Sequence, residues 1–401
     1  MRITDIECIP VQAPGRTLVP VLVHTDEGIS GVGEAGLQRR WKAIQGALEH
    51  MKRWLVGQDP MRIEYLWQRM FRGGFYPGDR LIGSAIAAID IALWDIKGKA
   101  LGVPVYQLLG GRCRDYVQCF LSPTYRSTMT EPDPDAKDMF HRALGGSVQE
   151  SCEAVVKLAK ECIADGHKYF RIGPGSDGNV FRSRAAIRRL VAQLRAVRQA
   201  VGDQIELMVD IHARFTPDEA AWFLKEVEPL GMFVVEDPVR AEHMHAYRNI
   251  RQLSAVPIAA GEQWANKWEF RQVIEEELVD YVRTDLCICG GLTEARKIAA
   301  MAETHFIRLL PHNPLGPVCT AASLHLNLAC DNAGPQEIIF PPAQMLPDVF
   351  ECAFELKGTR LTVPTAPGIG VTFHREAALK YPAEMTEPPH LHREDGSFTN
   401  Y

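Results

Sequence analysis

The sequence predicts an α/β protein built on a (β/α)8-type TIM barrel, preceded by a smaller α+β unit. From about residue 117 onward, eight short runs of β-forming residues alternate with longer amphipathic stretches. Before that point, strand-like and helix-like segments follow each other in no regular order. Parallel strands need helical crossovers of this length, and eight such units close a barrel.

The N-terminal unit contains a predicted hairpin and a predicted buried helix. Residues 18–24 and 29–33 flank Thr25-Asp26-Glu27-Gly28, whose Asp and Gly favour a turn. Apolar residues then recur at spacings of four and three from Ile82 to Ile96, which is the stripe of a buried helix. Gly102 and Pro104 are expected to end it.

The barrel strands are predicted at regular intervals along the rest of the chain. They cover residues 117–121, 168–172, 205–210, 232–236, 257–261, 280–285, 306–310 and 336–340, with helices at 180–201 and 217–229 among the crossovers. Periodicity alone also allows a doubly wound open sheet, but no G-x-G-x-x-G follows any of these strands. Residues 124–146 are expected to form a loop over the barrel mouth. The polar end, 388–401 with His390 and His392, is expected to be solvated and unstructured.

Composition and charge favour a small-molecule partner. The formal charge is -6 over 401 residues, and no block of five or more Lys or Arg occurs, which argues against nucleic acid or an anionic membrane as partner. Asp5 interrupts the N-terminal stretch, and no run approaches eighteen apolar residues, so we expect a cytoplasmic protein. The ten cysteines form no C-x2-C pair and are expected to be reduced.

Three carboxylates follow consecutive predicted strands. Asp210, Glu236 and Glu262 are each separated by 26 residues, one βα unit. Strand ends converge at the barrel mouth, and carboxylates brought together there must take up protons or bind a cation. Oxygen ligands suit Mg²⁺, whereas Zn²⁺ favours His or Cys. Helix caps or ion pairs are the structural alternative for any one of the three, but the matched register favours a magnesium site.

Two of the thirteen histidines lie at strand ends. His212 follows Asp210 by two residues, so on an extended strand end both side chains would point to the same side. His312 lies one unit after Asp285, which predicts that the two are neighbours. A carboxylate beside an imidazole orients it and raises its basicity, so Asp285 and His312 are candidates for a general-base dyad.

These motifs resemble the enolase superfamily, in particular the acid-sugar dehydratases of its mandelate-racemase-like branch. The resemblance covers nearly the whole chain, through TDEGISGVGEA, the DIH, VVEDP and AAGEQW strand ends, TDLCICGG and PHNPLGPV. It implies a capping domain at 1–115, a modified (β/α)7β barrel at 116–345 and a segment at 346–401 that returns to the capping domain. It also implies one Mg²⁺ per subunit on Asp210, Glu236 and Glu262, with the Asp285–His312 dyad as base and His212 as acid.

The resemblance also implies substrate contacts. Glu337 matches a contact at the end of the last strand, and Phe75-Tyr76 match a capping loop over the substrate. Related racemases carry Lys-x-Lys at the end of the second strand, where this chain has Arg171 and Gly173. A guanidinium binds carboxylates and hydroxyls but is a poor base. A base is therefore expected on only one face of the substrate, which favours dehydration over two-base racemisation. Trp264 either walls the pocket or belongs to the core.

The leading functional hypothesis is therefore a magnesium-dependent hydro-lyase acting on a six-carbon aldonic acid, most like galactonate and mannonate dehydratases. His312 would take the C2 proton and His212 would protonate the leaving C3 hydroxyl. Two alternatives stay open: another acid-sugar reaction, such as aldarate dehydration or single-base epimerisation, and a catalytically silent carboxylate-binding protein. A homo-oligomer is expected from the general prevalence of closed symmetry.

Overall fold

The computed structural model describes residues 1–121, 146–176, 179–388 and 390–399. The chain divides into two compact units. The first unit contains Met1–Cys119, Glu262–Arg271 and Val282–Thr386, and the second contains Phe120–Gly261, Gln272–Tyr281 and Glu387–Tyr401. The further division into capping and barrel domains at 115/116 and 345/346 stays a proposal.

The N-terminal segment forms an antiparallel sheet, as the hairpin pattern predicts. Its strands and helices in chain order are β1 (Ile3–Cys8), β2 (Val11–Ala13), β3 (Arg16–Leu18), β4 (Pro20–Thr25), β5 (Ser30–Glu34), α1 (Trp41–Leu55), α2 (Ile63–Arg72), α3 (Arg80–Leu101) and α4 (Val105–Leu108). Strands β1, β4 and β5 form one sheet in that order. Gly28 takes a φ of 76° in the turn between β4 and β5, which confirms the predicted hairpin.

Helix α3 is the buried helix that the apolar stripe predicts. It begins after Asp79, whose carboxylate accepts the Ile82 N–H at 3.0 Å, and it ends at Gly102 in the left-handed conformation. Its packing on β5 is tight, because a Cβ at Gly33 would lie 1.7 Å from the carbonyl oxygen of Ala88. Glycine at this position therefore allows helix and strand backbones to approach each other.

The remaining chain alternates strands and helices in the predicted order. The elements are β6 (Val117–Leu121), α5 (Val148–Ala164), β7 (Tyr169–Ile172), α6 (Ser183–Val201), β8 (Glu206–Asp210), α7 (Pro217–Val227), β9 (Val234–Glu236), α8 (His245–Leu253), β10 (Ile258–Ala260), α9 (Lys267–Glu275), β11 (Tyr281–Val282), α10 (Leu292–Glu303), β12 (Arg308–Leu309), α11 (Pro317–Ala329) and β13 (Gln336–Ile338). All eight predicted barrel strands are confirmed, and several are shorter than the pattern suggested. Strands β7 to β12 form one sheet in sequential order, while β13 pairs beside β6.

The eighth barrel strand is not followed by a crossover helix. After β13 come β14 (Phe350–Cys352), β15 (Leu356–Lys357), β16 (Arg360–Leu361) and β17 (Val371–Phe373), then the short helix α12 (Arg375–Ala378). The order is therefore that of a modified (β/α)7β barrel. Among the described residues, no helix is both long enough and apolar enough to cross a bilayer.

The end of the chain corrects one prediction. The sequence predicts an unstructured end at 388–401, but in its described part Leu391 is fully buried and the backbone of His392 forms hydrogen bonds with Asn179 and Phe181 in the second unit. Arg182 also forms an ion pair with Glu394. A buried leucine and backbone pairing hold this end in place, which the polar composition did not reveal. Most of the predicted 124–146 loop lies outside the described residues.

Candidate active site

Two acids of the second unit are brought side by side by strand pairing. Asp210 ends β8 and Glu236 ends β9, and the two are direct partners in the parallel register. Both residues are almost completely buried. The prediction that consecutive strand ends bring these carboxylates together is confirmed for this pair, and Glu262 follows β10 by two residues.

Arg171 on β7 contacts both of these carboxylates. Its Nη1 lies 3.2 Å from Glu236 Oε2 and 3.5 Å from Asp210 Oδ2, and the residue is 4% exposed. Strands β8 and β9 therefore end in two buried carboxylates that contact the same guanidinium nitrogen. Such a cluster suits a divalent cation with oxygen ligands.

His212 reaches Asp210 through a turn and not along an extended strand. Strand β8 ends at Asp210, and His212 and Ala213 have φ values of 53° and 54°. Asp210 Oδ1 accepts the His212 N–H at 3.0 Å, while Oδ2 lies 2.9 Å from His212 Nε2. The predicted neighbourhood is confirmed, but the extended geometry assumed for it is wrong. A left-handed non-glycine pair is unusual and is typical of functional turns.

In the first unit, His312 lies between two carboxylates. Its Nδ1 is 2.8 Å from Asp285 Oδ2, and its Nε2 is 3.4 Å from Glu262 Oε2. The backbone also pairs, since His312 N–H donates to the carbonyl of Thr284 at 3.2 Å. The predicted contact between Asp285 and His312 is therefore confirmed. It fixes the ring orientation with Nε2 away from Asp285.

Charge controls the basicity of His312. Burial alone would lower the pKa of its imidazole, but the negative charge of Glu262 and the hydrogen bond and charge of Asp285 outweigh burial and raise that pKa to about 9. The negative charge of Glu262 makes the largest contribution to the increase in this pKa. A cation beside Glu262 would offset that carboxylate and bring the imidazole back towards its neutral, proton-accepting form.

A buried ion pair behind His312 was missed at the sequence level. Arg283 Nη2 donates to Glu337 Oε2 at 2.6 Å, and Arg283 and Glu337 are 0% and 1% exposed. Glu337 Oε2 also accepts the backbone N–H of Asn313 at 3.2 Å. The signal was available, because Arg283 precedes Asp285 by two residues and strand alternation puts such residues on one face.

Two predicted contacts have contrasting surroundings. Trp264 is 1% exposed and its ring meets Phe270 edge-on, with ring centroids 5.1 Å apart. Tyr76 is 79% exposed and meets only Phe75 among the rings of the described residues. Their proposed role in substrate binding stays a prediction.

Two family descriptions match the chain. Residues 11–110 match the mandelate racemase / muconate lactonizing enzyme N-terminal domain, and residues 154–377 match the enolase C-terminal domain-like family. Together they span most of the described strands and helices.

Individual relatives match over almost the full length. A D-mannonate dehydratase of Caulobacter sp. (strain K31) is 36% identical over 409 residues, covering 100% of both chains. A D-galactonate dehydratase of Ralstonia pickettii (strain 12J) is 35% identical and covers 94% of this chain and 95% of its own. A crystal structure of an enolase from Pantoea ananatis with bound D-gluconate and Mg has a TM-score of 0.89, is 30% identical, and covers 100% of this chain and 99% of its own.

Proposed function

Because the chain belongs to the mandelate racemase / muconate lactonizing enzyme family of the enolase superfamily, we propose that it is a magnesium-dependent acid-sugar dehydratase. This hydro-lyase removes water across C2 and C3 of an aldonic acid and leaves a 2-keto-3-deoxy acid. The observation that carries the proposal is the Asp285–His312 contact, which supplies a base held in one orientation. Relatives named as mannonate and galactonate dehydratases support the choice of substrate class.

Asp210, Glu236 and Glu262 are proposed as the magnesium ligands. All three are carboxylates at or just after strand ends, and their hard oxygen donors match the preference of Mg²⁺. Asp210 and Glu236 lie side by side in the parallel register, so one cation could reach oxygens of both. When bound, Mg²⁺ stabilises the negative charge that develops on the substrate carboxylate as C2 loses its proton.

The two histidines are proposed to act in sequence. His312 Nε2 accepts the C2 proton, while Asp285 holds Nδ1 and stabilises the positive charge that the ring acquires. His212 donates a proton to the C3 hydroxyl, which leaves as water, and the enol product tautomerises to the keto acid. The carboxylate of Asp210 orients His212, because it contacts both the backbone N–H and the ring Nε2 of His212. Each proton transfer contributes about 10²- to 10⁴-fold to the rate.

Arg171 supports dehydration over two-base racemisation. A guanidinium stays protonated at any working pH, and in this chain it is buried against two carboxylates. It can therefore hold a substrate oxygen but cannot take a proton from the second face of C2. Arg171, Glu337, Tyr76 and Trp264 are kept as proposed substrate contacts.

The decisive assay measures keto-acid formation from a panel of aldonic and aldaric acids, with D-galactonate, D-mannonate and D-gluconate included. We expect product from one or two aldonates with Mg²⁺ and none with chelator. His312→Asn is the matched inactive control. If no substrate gives product, deuterium incorporation at C2 in heavy water separates the alternatives. Exchange without elimination would favour epimerisation, and neither exchange nor product would favour a silent carboxylate-binding protein.

Cellular location and assembly are separate from the catalytic proposal. A cytoplasmic location and a homo-oligomer stay predictions from the sequence. Size-exclusion chromatography with light scattering tests the assembly state directly.

A further inference from the structure

A network of hydrogen bonds centred on Arg283 surrounds the peptide groups next to His312. Arg283 Nη1 donates to the carbonyl oxygens of Leu310 at 3.0 Å and Pro311 at 3.2 Å. These are the last two carbonyls before His312, and Pro311 has no N–H of its own to fix its position. The guanidinium therefore holds the backbone on the N-terminal side of the proposed base.

The C-terminal side of His312 is held through the same guanidinium. Arg283 Nη2 donates to Glu337 Oε2 at 2.6 Å, and that oxygen also accepts the N–H of Asn313 at 3.2 Å. The Asn313 side chain donates to the Glu337 carbonyl and to Thr320 Oγ1, both at 2.9 Å. The peptide on each side of His312 is thus tied to the Arg283–Glu337 pair.

The cost of burying these charges indicates a specific role. Arg283 is 0% exposed and Glu337 is 1% exposed, so both charges have lost their water. Desolvation of a buried ion pair offsets much of its attraction, and apolar residues of similar volume often stabilise a core as well. What apolar residues cannot supply is a rigid fork with several donors in one plane.

We propose that Arg283 is the positioning residue for His312, setting the angle at which the imidazole meets the substrate. Arg283 does not touch the reacting atoms. It acts through Leu310, Pro311 and the Glu337–Asn313 contact, while Asp285 fixes the ring itself. The proposal rests on the proposed function of His312 as the base that takes the C2 proton.

Arg283→Lys is the first test because it keeps the charge and removes the fork. A lysine at this position cannot donate hydrogen bonds to Leu310, Pro311 and Glu337 with the same geometry. We expect kcat to fall about 10- to 100-fold with KM within about twofold, since small misplacements of a catalytic group cost this much. The kinetic isotope effect with substrate deuterated at C2 should increase, because proton abstraction becomes more fully rate-limiting. A mere loss of folded protein would lower the rate without changing the isotope effect.

Two further variants separate positioning from folding. Arg283→Gln combined with Glu337→Gln leaves no unpaired buried charge, and we expect the same loss of kcat as in Arg283→Lys. Any additional increase in KM in the double variant reports the proposed contact of Glu337 with the substrate. Arg114→Lys is the matched control, because Arg114 also donates to three backbone carbonyls, those of Cys330, Asp331 and Ala333, in the same unit. It should keep wild-type kcat and isotope effect.

A spectroscopic readout tests the proposal without any substrate. The Nδ1 proton of His312, hydrogen-bonded to Asp285, should give a downfield proton NMR signal that disappears in His312→Asn. In Arg283→Lys and in the double variant we expect this signal to shift or broaden, and in Arg114→Lys to stay. An unchanged signal in both Arg283 variants would overturn the proposal. Inactivity of the wild-type protein on every acid sugar would overturn the proposed function but would leave this readout intact.

Discussion

Nη1 of Arg171 lies 3.2 Å from Oε2 of Glu236, so a fixed positive charge already occupies the space beside a proposed magnesium ligand. The same nitrogen is 3.5 Å from Asp210 Oδ2. The guanidinium therefore stabilises the two carboxylates without metal, and it also repels a cation that binds them. These opposed effects can be separated by experiment.

We expect Arg171→Met to destabilise the metal-free protein and to strengthen magnesium binding. Removing the positive charge that contacts both proposed ligands should lower the Mg²⁺ dissociation constant by about tenfold or more. Thermal unfolding with and without Mg²⁺ measures both effects, since the metal-induced increase in Tm should be larger in the variant. Arg198→Met is the control, because Arg198 in the same unit donates to the backbone carbonyls of Gly202, Leu230 and Gly231. An unchanged dissociation constant in Arg171→Met would contradict the assignment of Asp210 and Glu236.

Asp285→Asn should reduce kcat by about 10²- to 10⁴-fold. Asparagine keeps the size of the side chain but removes the negative charge that supports a protonated His312, and it can present an N–H to Nδ1. Magnesium affinity, measured by calorimetry, should stay within a few-fold of wild type, because Asp285 is not among the proposed ligands. A variant with near wild-type kcat would contradict the role of Asp285 in supporting His312 as the base.

His212→Asn should uncouple the two proton transfers. Asparagine tolerates the left-handed backbone that His212 adopts, and its N–H can still donate to Asp210, so the turn should persist. We expect keto-acid formation to fall about 10²- to 10⁴-fold. Deuterium should still enter C2 in heavy water, because His312 is retained. If exchange and elimination fall together, the role of His212 is to orient the proposed metal ligand Asp210, and it is not the acid.

The order of strands and helices could be predicted because it depends on local patterns. Runs such as Leu207 to Val209 are apolar and fully buried, and Gly102 ends α3 because it adopts the left-handed conformation. Strand ends one βα unit apart then brought Asp285 to His312. These features follow from periodicity and from the geometry of parallel strands.

The features that were missed depend on distant partners. Arg283 reads as a polar residue in a strand until Glu337, which lies far along the chain, is seen to neutralise it. The contact between Asp210 and His212 was predicted for the wrong backbone, since no glycine marks the left-handed turn at His212 and Ala213. The order at residues 390–399 depends on a single buried leucine, Leu391, and on backbone pairing with Asn179 and Phe181.

His325 should make the stability of the protein depend on pH. It is fully buried in α11, its Nδ1 accepts the Tyr106 N–H at 3.0 Å, and burial lowers the pKa of its imidazole to about 4. Between that pKa and the ordinary value of 6.5, the unfolded chain binds a proton that the folded chain does not, so this contribution is present above pH 6.5 and is lost as the pH falls towards 4.

The corresponding experiment compares wild type with His325→Asn by urea unfolding at several pH values. The asparagine Oδ1 can replace Nδ1 as acceptor, but it does not titrate. We expect the free energy of unfolding of wild type to fall by roughly 3 kcal/mol more than that of the variant between pH 6.5 and 4. The comparison uses the two slopes, because the smaller side chain also leaves a cavity and loses the stacking of His325 on Tyr106. If the free energies of unfolding of wild type and variant fall in parallel with pH, the pKa of His325 is not lowered by folding. The prediction that burial keeps this imidazole neutral would then be wrong.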